Sequence, residues 1–301
     1  MIYRENISKA MVDALAHDRR AVIIGQNVTT QHGVFGTTTE AYAKFPTRVL
    51  EAPISETMLT GMCVGMAMEG WKPILVHTRA DFSLFSFEHL INTAAKFQFL
   101  HGKPLPFIMR CVVGRGWGQG PVHSQSWHHL LAQIPGLDVF MPVFPEMYGE
   151  YIYTAMYTER PTVIFESRRL YETELRVGRS GLPDINLFTY GDAAIDAFQA
   201  AAILEMHGVF AQVFPIENMG FGLPLPGAKN QLIIDIAPRP RADGLLSPPF
   251  APLGVSRPLD QAWYPTAQDI VLEACRILGR IPPEMEVTDA RSLAAPVQSV
   301  F

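Results

Sequence analysis

Glu56 and His123 are the side chains whose surroundings invite chemistry. Glu56 ends the run Leu50-Glu51-Ala52-Pro53-Ile54-Ser55-Glu56, where a short apolar segment meets Pro53 and turns directly into about four turns of helix rich in Met, Leu, Ala and Gly. A carboxylate at that point either complements the positive end of the helix dipole, a matter of some tenths of a kcal/mol, or stands desolvated where it can share a proton with a bound molecule. His123 opens His123-Ser124-Gln125-Ser126, shortly after Gly114-Arg115-Gly116-Trp117-Gly118-Gln119-Gly120, a loop with four glycines in seven residues. Flexible turns produce such a loop as readily as phosphate cradles do, and its spacing is not the dinucleotide fingerprint. Neither Ser124 nor Ser126 sits in a G-x-S-x-G elbow, which argues against a serine nucleophile. His123, His128 and His129 lack the H-E-x-x-H spacing, and Cys63, Cys111 and Cys275 lack a C-x-x-C pair. No metal ligation by this chain is therefore expected, and the thiols are expected to be buried and reduced.

These residues need elements to hold them. Ile7, Ala10, Met11 and Leu15 form a helical stripe, and Arg20 to Ile24 is an unalternating apolar strand ending at Gly25. The pattern then repeats: a helix after Glu56, a strand 73–77, a helix 84–100, a strand 106–111, a helix after Trp127, a strand 137–141, a helix 146–157 and a strand 161–166. Strands buried on both faces and alternating with helices predict a parallel α/β domain over residues 1–170, with ligands at the carboxyl ends of its strands. The helix 57–70 is apolar nearly all round and is expected to be buried. Its Gly61 and Gly65 leave a stripe where another backbone can come close.

Residues 171–185 read as a polar linker. A smaller α/β domain follows over 186–280, with strands at 186–190, 210–214 and 231–236 and helices at 192–207 and 267–278; the Pro-bearing residues 281–301 read as an extended tail. With 48% apolar and 18% charged residues the chain is globular, and its formal charge of −5 offers no basic surface for nucleic acid or an anionic membrane. Neither a basic start followed by an apolar run nor a membrane-spanning run occurs, so a cytoplasmic location is expected.

The wording Pro53-Ile54-Ser55-Glu56 followed by Thr60-Gly61-Met62-Cys63-Val64-Gly65-Met66-Ala67-Met68-Glu69-Gly70, then Lys72-Pro73, resembles the beta subunits of thiamine-diphosphate-dependent 2-oxoacid dehydrogenase E1 components. So do H-S-Q-S at His123, Pro135-Gly136-Leu137, Met141-Pro142 and Phe165 to Tyr171. The likeness covers about residues 3–215 and is weaker over 253–278. It implies a pyrimidine-binding domain followed by a shortened transketolase C-terminal-like domain. It further implies that Glu56 bonds the N1′ atom of the cofactor's aminopyrimidine, that Phe82 stacks on that ring with Ile54 and Met58 in the same pocket, and that His123 faces the thiazolium end and the substrate.

The G-D-G motif that carries Mg²⁺ in the wider thiamine family is absent, Gly191-Asp192-Ala193 being the nearest approach. The resemblance thus implies an alpha-type partner subunit holding the diphosphate and Mg²⁺ in an α2β2 assembly. The activity expected is decarboxylation of a 2-oxoacid with transfer of the acyl or hydroxyalkyl unit. A transketolase-like or acyloin-forming enzyme and a catalytically silent scaffold are the alternatives. A lipoyl acyltransferase would be a further partner of a dehydrogenase, but Ala237-Pro238-Arg239-Pro240 replaces the usual His/Glu-containing turn and the region 216–236 is short. Gln26-Asn27 and Arg79 also depart from the family pattern, on the substrate side.

Overall fold

The computed structural model describes residues 1–158, 160–175, 181–221, 230–238, 243–249 and 262–285. The chain forms two compact units, the first comprising Met1–Arg115, Pro121–Val177 and Ile216–Leu223, the second the remainder.

The first unit is built on a parallel sheet. Its strands are β1 (Ala21–Gly25), β2 (Val49–Glu51), β3 (Lys72–His77), β4 (Ile108–Val113), β5 (Asp138–Phe140) and β6 (Thr162–Ser167), in the order β2-β1-β3-β4-β6-β5. All pairings are parallel. β1, β3, β4 and β6 are buried at every position, as unalternating apolar strands require. Around them lie α1 (Tyr3–His17), the short α2 (Gly33–Gly36), α3 (Thr39–Lys44), α4 (Glu56–Met68), α5 (Ala95–His101), α6 (His128–Ala132) and α7 (Pro145–Tyr157).

Two expectations need correction. The helix expected over 84–100 is a tight 3-10 turn, Ala80–Ser86, then a π-helical segment, His89–Ala94, and only then α5. Serine hydroxyls compete with the helical ladder here: Ser83 Oγ donates to Ala80 O at 2.7 Å, while Ser86 Oγ is engaged by Thr60 at 2.7 Å. Second, α4 is not buried all round. Leu59, Thr60, Cys63, Val64 and Ala67 face inward, but Met58, Met62 and Met68 are 49%, 43% and 41% exposed. A Cβ at Gly61 would lie 3.0 Å from the His89 ring, whereas one at Gly65 would meet nothing within 4 Å.

The apolar core encloses a charged pair that apolar periodicity does not announce. Arg110 on β4 and Glu166 on β6 are fully buried and paired at 2.7 Å and 3.2 Å. Tyr171 donates its hydroxyl to Glu166 at 2.7 Å, Tyr148 does the same, and Arg110 donates to Thr37 Oγ1 at 3.0 Å.

The second unit carries β7 (Ile185–Thr189), β8 (Ala211–Pro215), β9 (Gln231–Ile234) and β10 (Leu245–Leu246) in a parallel sheet of order β10-β9-β7-β8, with α8 (Ala193–Met206) and α9 (Ala267–Leu278) packed on each other. Thr266 caps α9, accepting from the Asp269 N–H while Asp269 bonds back. The tail beyond Met285 and much of the Pro- and Gly-rich stretch between 222 and 261 lie outside the described residues. No described helix is long and apolar enough to cross a membrane.

Candidate active site

A small cleft opens at the carboxyl ends of β1 and β3 in the first unit, lined by Gln26, Glu56, Leu59, Val76, His77, Thr78, Arg79 and Phe82. Open parallel sheets place ligands at such ends because strand termini and helix N-termini converge there. Glu56, half-buried, is the first residue of α4, and Ser55 before it makes no side-chain cap. The carboxylate therefore meets the cleft from the positive end of the helix.

A chain of hydroxyls ties the first turn of α4 to its neighbours. Thr60 Oγ1 donates to Glu56 O at 2.8 Å and bonds Ser86 Oγ at 2.7 Å, and Ser86 lies 3.1 Å from His77 Nε2. Burial pushes the His77 pKa down to about 4, so this imidazole is neutral across the physiological range.

Phe82 and His123 come together. Their rings meet edge to face, with centroids 5.5 Å apart and planes at 87°. Phe82 rides on the turn Ala80–Ser86, and the segment carrying His123 is fastened to that turn by Asp81, whose Oδ1 accepts from Gln125 N at 3.1 Å and from Gln125 Nε2 at 2.9 Å. Glu56, Phe82 and His123, far apart in the chain, thus belong to one neighbourhood: the first two line the cleft and the third contacts the second. Ile54 and Met58 do not line it. Ile54 is 82% exposed just before the helix, and Met58, two residues after Glu56, projects from a different face of α4.

Arg79 is the feature whose setting only the fold reveals. It ends the segment after β3, lines the cleft, and lies over the Phe35 ring at 5.5 Å; Arg168, just after β6, lies over the same ring at 3.8 Å. Burial lowers the pKa of both guanidinium groups, and the charge of Arg79 adds to the lowering at Arg168. Phe35 is presented by a left-handed turn in which Val34 and Phe35 have φ of 43° and 59°. The glycines Gly33 and Gly36 around it are the one local signal of that turn. The approach of residues 79 and 168 to it is long-range and has none.

Residues 1–174 match the family described as transketolase, pyrimidine binding domain. The chain is 30% identical over 236 residues to the 2-oxoisovalerate dehydrogenase subunit beta of Bacillus subtilis, covering 73% of this chain and 72% of that relative. It is 28% identical over 238 residues to the acetoin:2,6-dichlorophenolindophenol oxidoreductase subunit beta of Cupriavidus necator, covering 71% and 70%. Among solved structures, a split-gene transketolase described as an inactive beta4 tetramer matches with a TM-score of 0.69 at 18% identity, over 93% of this chain and 98% of that one. The last likeness is one of fold.

Proposed function

The chain belongs to the transketolase pyrimidine-binding family, among the beta subunits of thiamine-diphosphate-dependent 2-oxoacid dehydrogenases, and from that premise we propose that it is the beta-type subunit of a heteromeric enzyme that decarboxylates a 2-oxoacid and passes on the acyl or hydroxyalkyl unit. The observation that carries the reading is the Glu56 carboxylate at the mouth of α4, in one cleft with Phe82, whose ring in turn touches His123. Residues 1–170 are read as the pyrimidine-binding domain, 171–185 as a linker and 186–280 as the smaller C-terminal domain.

The cleft suits an aminopyrimidine. Leu59, Val76 and Phe82 offer apolar surface for a flat ring, and Glu56 offers the acceptor a ring nitrogen needs. It does not suit a diphosphate with Mg²⁺, which wants several hard oxygen ligands together; Asp192, the nearest sequence candidate, is fully buried at the end of β7. We therefore assign the diphosphate and Mg²⁺ to an alpha-type subunit in an α2β2 assembly, in the cytoplasm.

When bound, thiamine diphosphate supplies a nucleophilic carbon and an electron sink. Glu56 holds a proton jointly with the ring nitrogen, Phe82 fixes the ring's angle, and His123 gives or takes a proton at the substrate. Arg79 supports a second reading: a guanidinium in the cleft favours a substrate with an additional anionic group, and hence a transketolase-like or acyloin-forming transfer. Co-purification with the alpha-type partner and assay of 2-oxoacid-dependent CO₂ release with an artificial electron acceptor separates the two. Release of CO₂ supports the first reading, and turnover of ketose donors alone supports the second.

A further inference from the structure

Asp81 is 5% exposed on the turn that carries Phe82, and its two oxygens are treated unequally. Oδ1 accepts two hydrogen bonds from Gln125, through the backbone N–H at 3.1 Å and Nε2 at 2.9 Å. Oδ2 is buried with no hydrogen-bond partner among the described residues. A buried carboxylate oxygen left bare is costly, and buried polar atoms of this kind cluster where a charge or a ligand completes them.

The surroundings identify what completes it. Two cationic groups act on Asp81 by charge: Arg79 at the end of β3, and His123, whose ring meets that of Phe82 next to Asp81. His77 on β3 is neutral and engaged with Ser86, Cys111 on β4 is kept as a thiol by burial, and α4 presents Glu56 to the cleft. Burial pushes the Asp81 pKa up, and the Gln125 hydrogen bonds and the charge of His123 draw it back. Of the two cationic groups, His123 is carried by the segment that Asp81 itself fastens through Gln125.

We propose that Asp81 is the positioning residue for His123: it anchors the His123–Ser126 segment through Gln125, and its second oxygen balances the imidazolium whenever His123 carries a proton. The proposal rests on the reading of His123 as the proton-transferring group of the reaction. Asp81 reaches no substrate itself; it sets the place and the proton affinity of the side chain that does.

The test uses the full chain with ¹³C-labelled histidine, following the titration of His123 by NMR in the wild type and in Asp81→Asn. Asparagine keeps an oxygen for the Gln125 donors and removes the charge. The expected result is a His123 titration lowered by about half a pH unit or more. In the assembled enzyme the pH profile of kcat should move in the same direction while KM holds. Gln125→Ala serves where Asp81→Asn fails to fold. It removes the Nε2 half of the anchor and keeps the backbone bond and the carboxylate, and the His123 titration should again fall as the loosened segment lets the imidazole drift from its counter-charge. An unchanged His123 titration in Asp81→Asn, or in Gln125→Ala where that variant replaces it, overturns the proposal whatever the activity does. A shifted titration with an unmoved kcat profile upholds the pairing and instead removes His123 from the chemistry, so the two readings fail separately.

Discussion

At the scale of single residues, the proposed reading gives Glu56 the cofactor ring and His123 the substrate, and the two roles separate experimentally. Glu56→Gln keeps size and leaves the fold intact, but an amide cannot share a proton with a ring nitrogen. Turnover should fall at least ~10²-fold, and exchange of the cofactor's C2 proton, followed by NMR, should slow with it. His123→Ala should slow turnover while leaving that exchange near wild type. Exchange at the normal rate in Glu56→Gln would remove the carboxylate from its role. His77 gives a pH signature of its own. Its folded-state pKa of about 4 lies below the ordinary 6.5, so between those values the unfolded chain binds the proton more readily. Stability is therefore full above pH ~6.5 and is lost as pH falls toward ~4, by up to about 3 kcal/mol. His77→Gln should flatten this limb in urea titrations at stepped pH. Glu56 and His123 stand out in the sequence because each sits in a local context, a helix start and a loop behind a strand. Asp81 does not, since its partner Gln125 lies 44 positions on.

At the scale of elements, apolar runs announced the strands and said nothing of what crosses between them. Arg110 stands among Ile108, Met109, Cys111 and Val112 and reads as an interruption of a strand, yet it is the centre of a polar network linking β4, β6, α7 and the turn before α3. Removing one partner strands the other charge in the core. Glu166→Ala should cost about 3–5 kcal/mol in chemical denaturation, and Arg110→Met with Glu166→Leu together considerably less. Equal losses in the single and double variants would show that the ion pair is not what matters there. The stretch 84–100 was misread for a related reason. Its apolar spacing is helical, but Ser83 donates its hydroxyl to Ala80 O, Ser86 accepts from Thr60, and the backbone follows a tight turn that places Phe82 beside His123. Periodicity reports which face is apolar and is blind to side chains that bond back to the chain.

At the scale of the whole molecule, α4 is the element that points outward. Composition alone made it a buried helix; in the single chain, Met58, Met62 and Met68 are exposed, Ile54 stands 82% exposed before them, and Leu84 and Phe85 on the adjoining turn are 43% and 60% exposed. Exposed apolar side chains along one helix and its adjoining turn suit a surface that another subunit would cover. The same conclusion follows from the cofactor. On the proposed reading Glu56 and Phe82 hold only its aminopyrimidine, and most of the affinity for thiamine diphosphate should come from the Mg²⁺ and the charged diphosphate. The purified chain should accordingly show little heat on titration with the cofactor and Mg²⁺ in a calorimeter. With the alpha-type partner present, binding should become tight and Mg²⁺-dependent, and α4 should gain protection from hydrogen exchange along Met58, Met62 and Gly65. Tight Mg²⁺-dependent binding by the chain alone would place the diphosphate site within these 301 residues and remove the need for a shared active site.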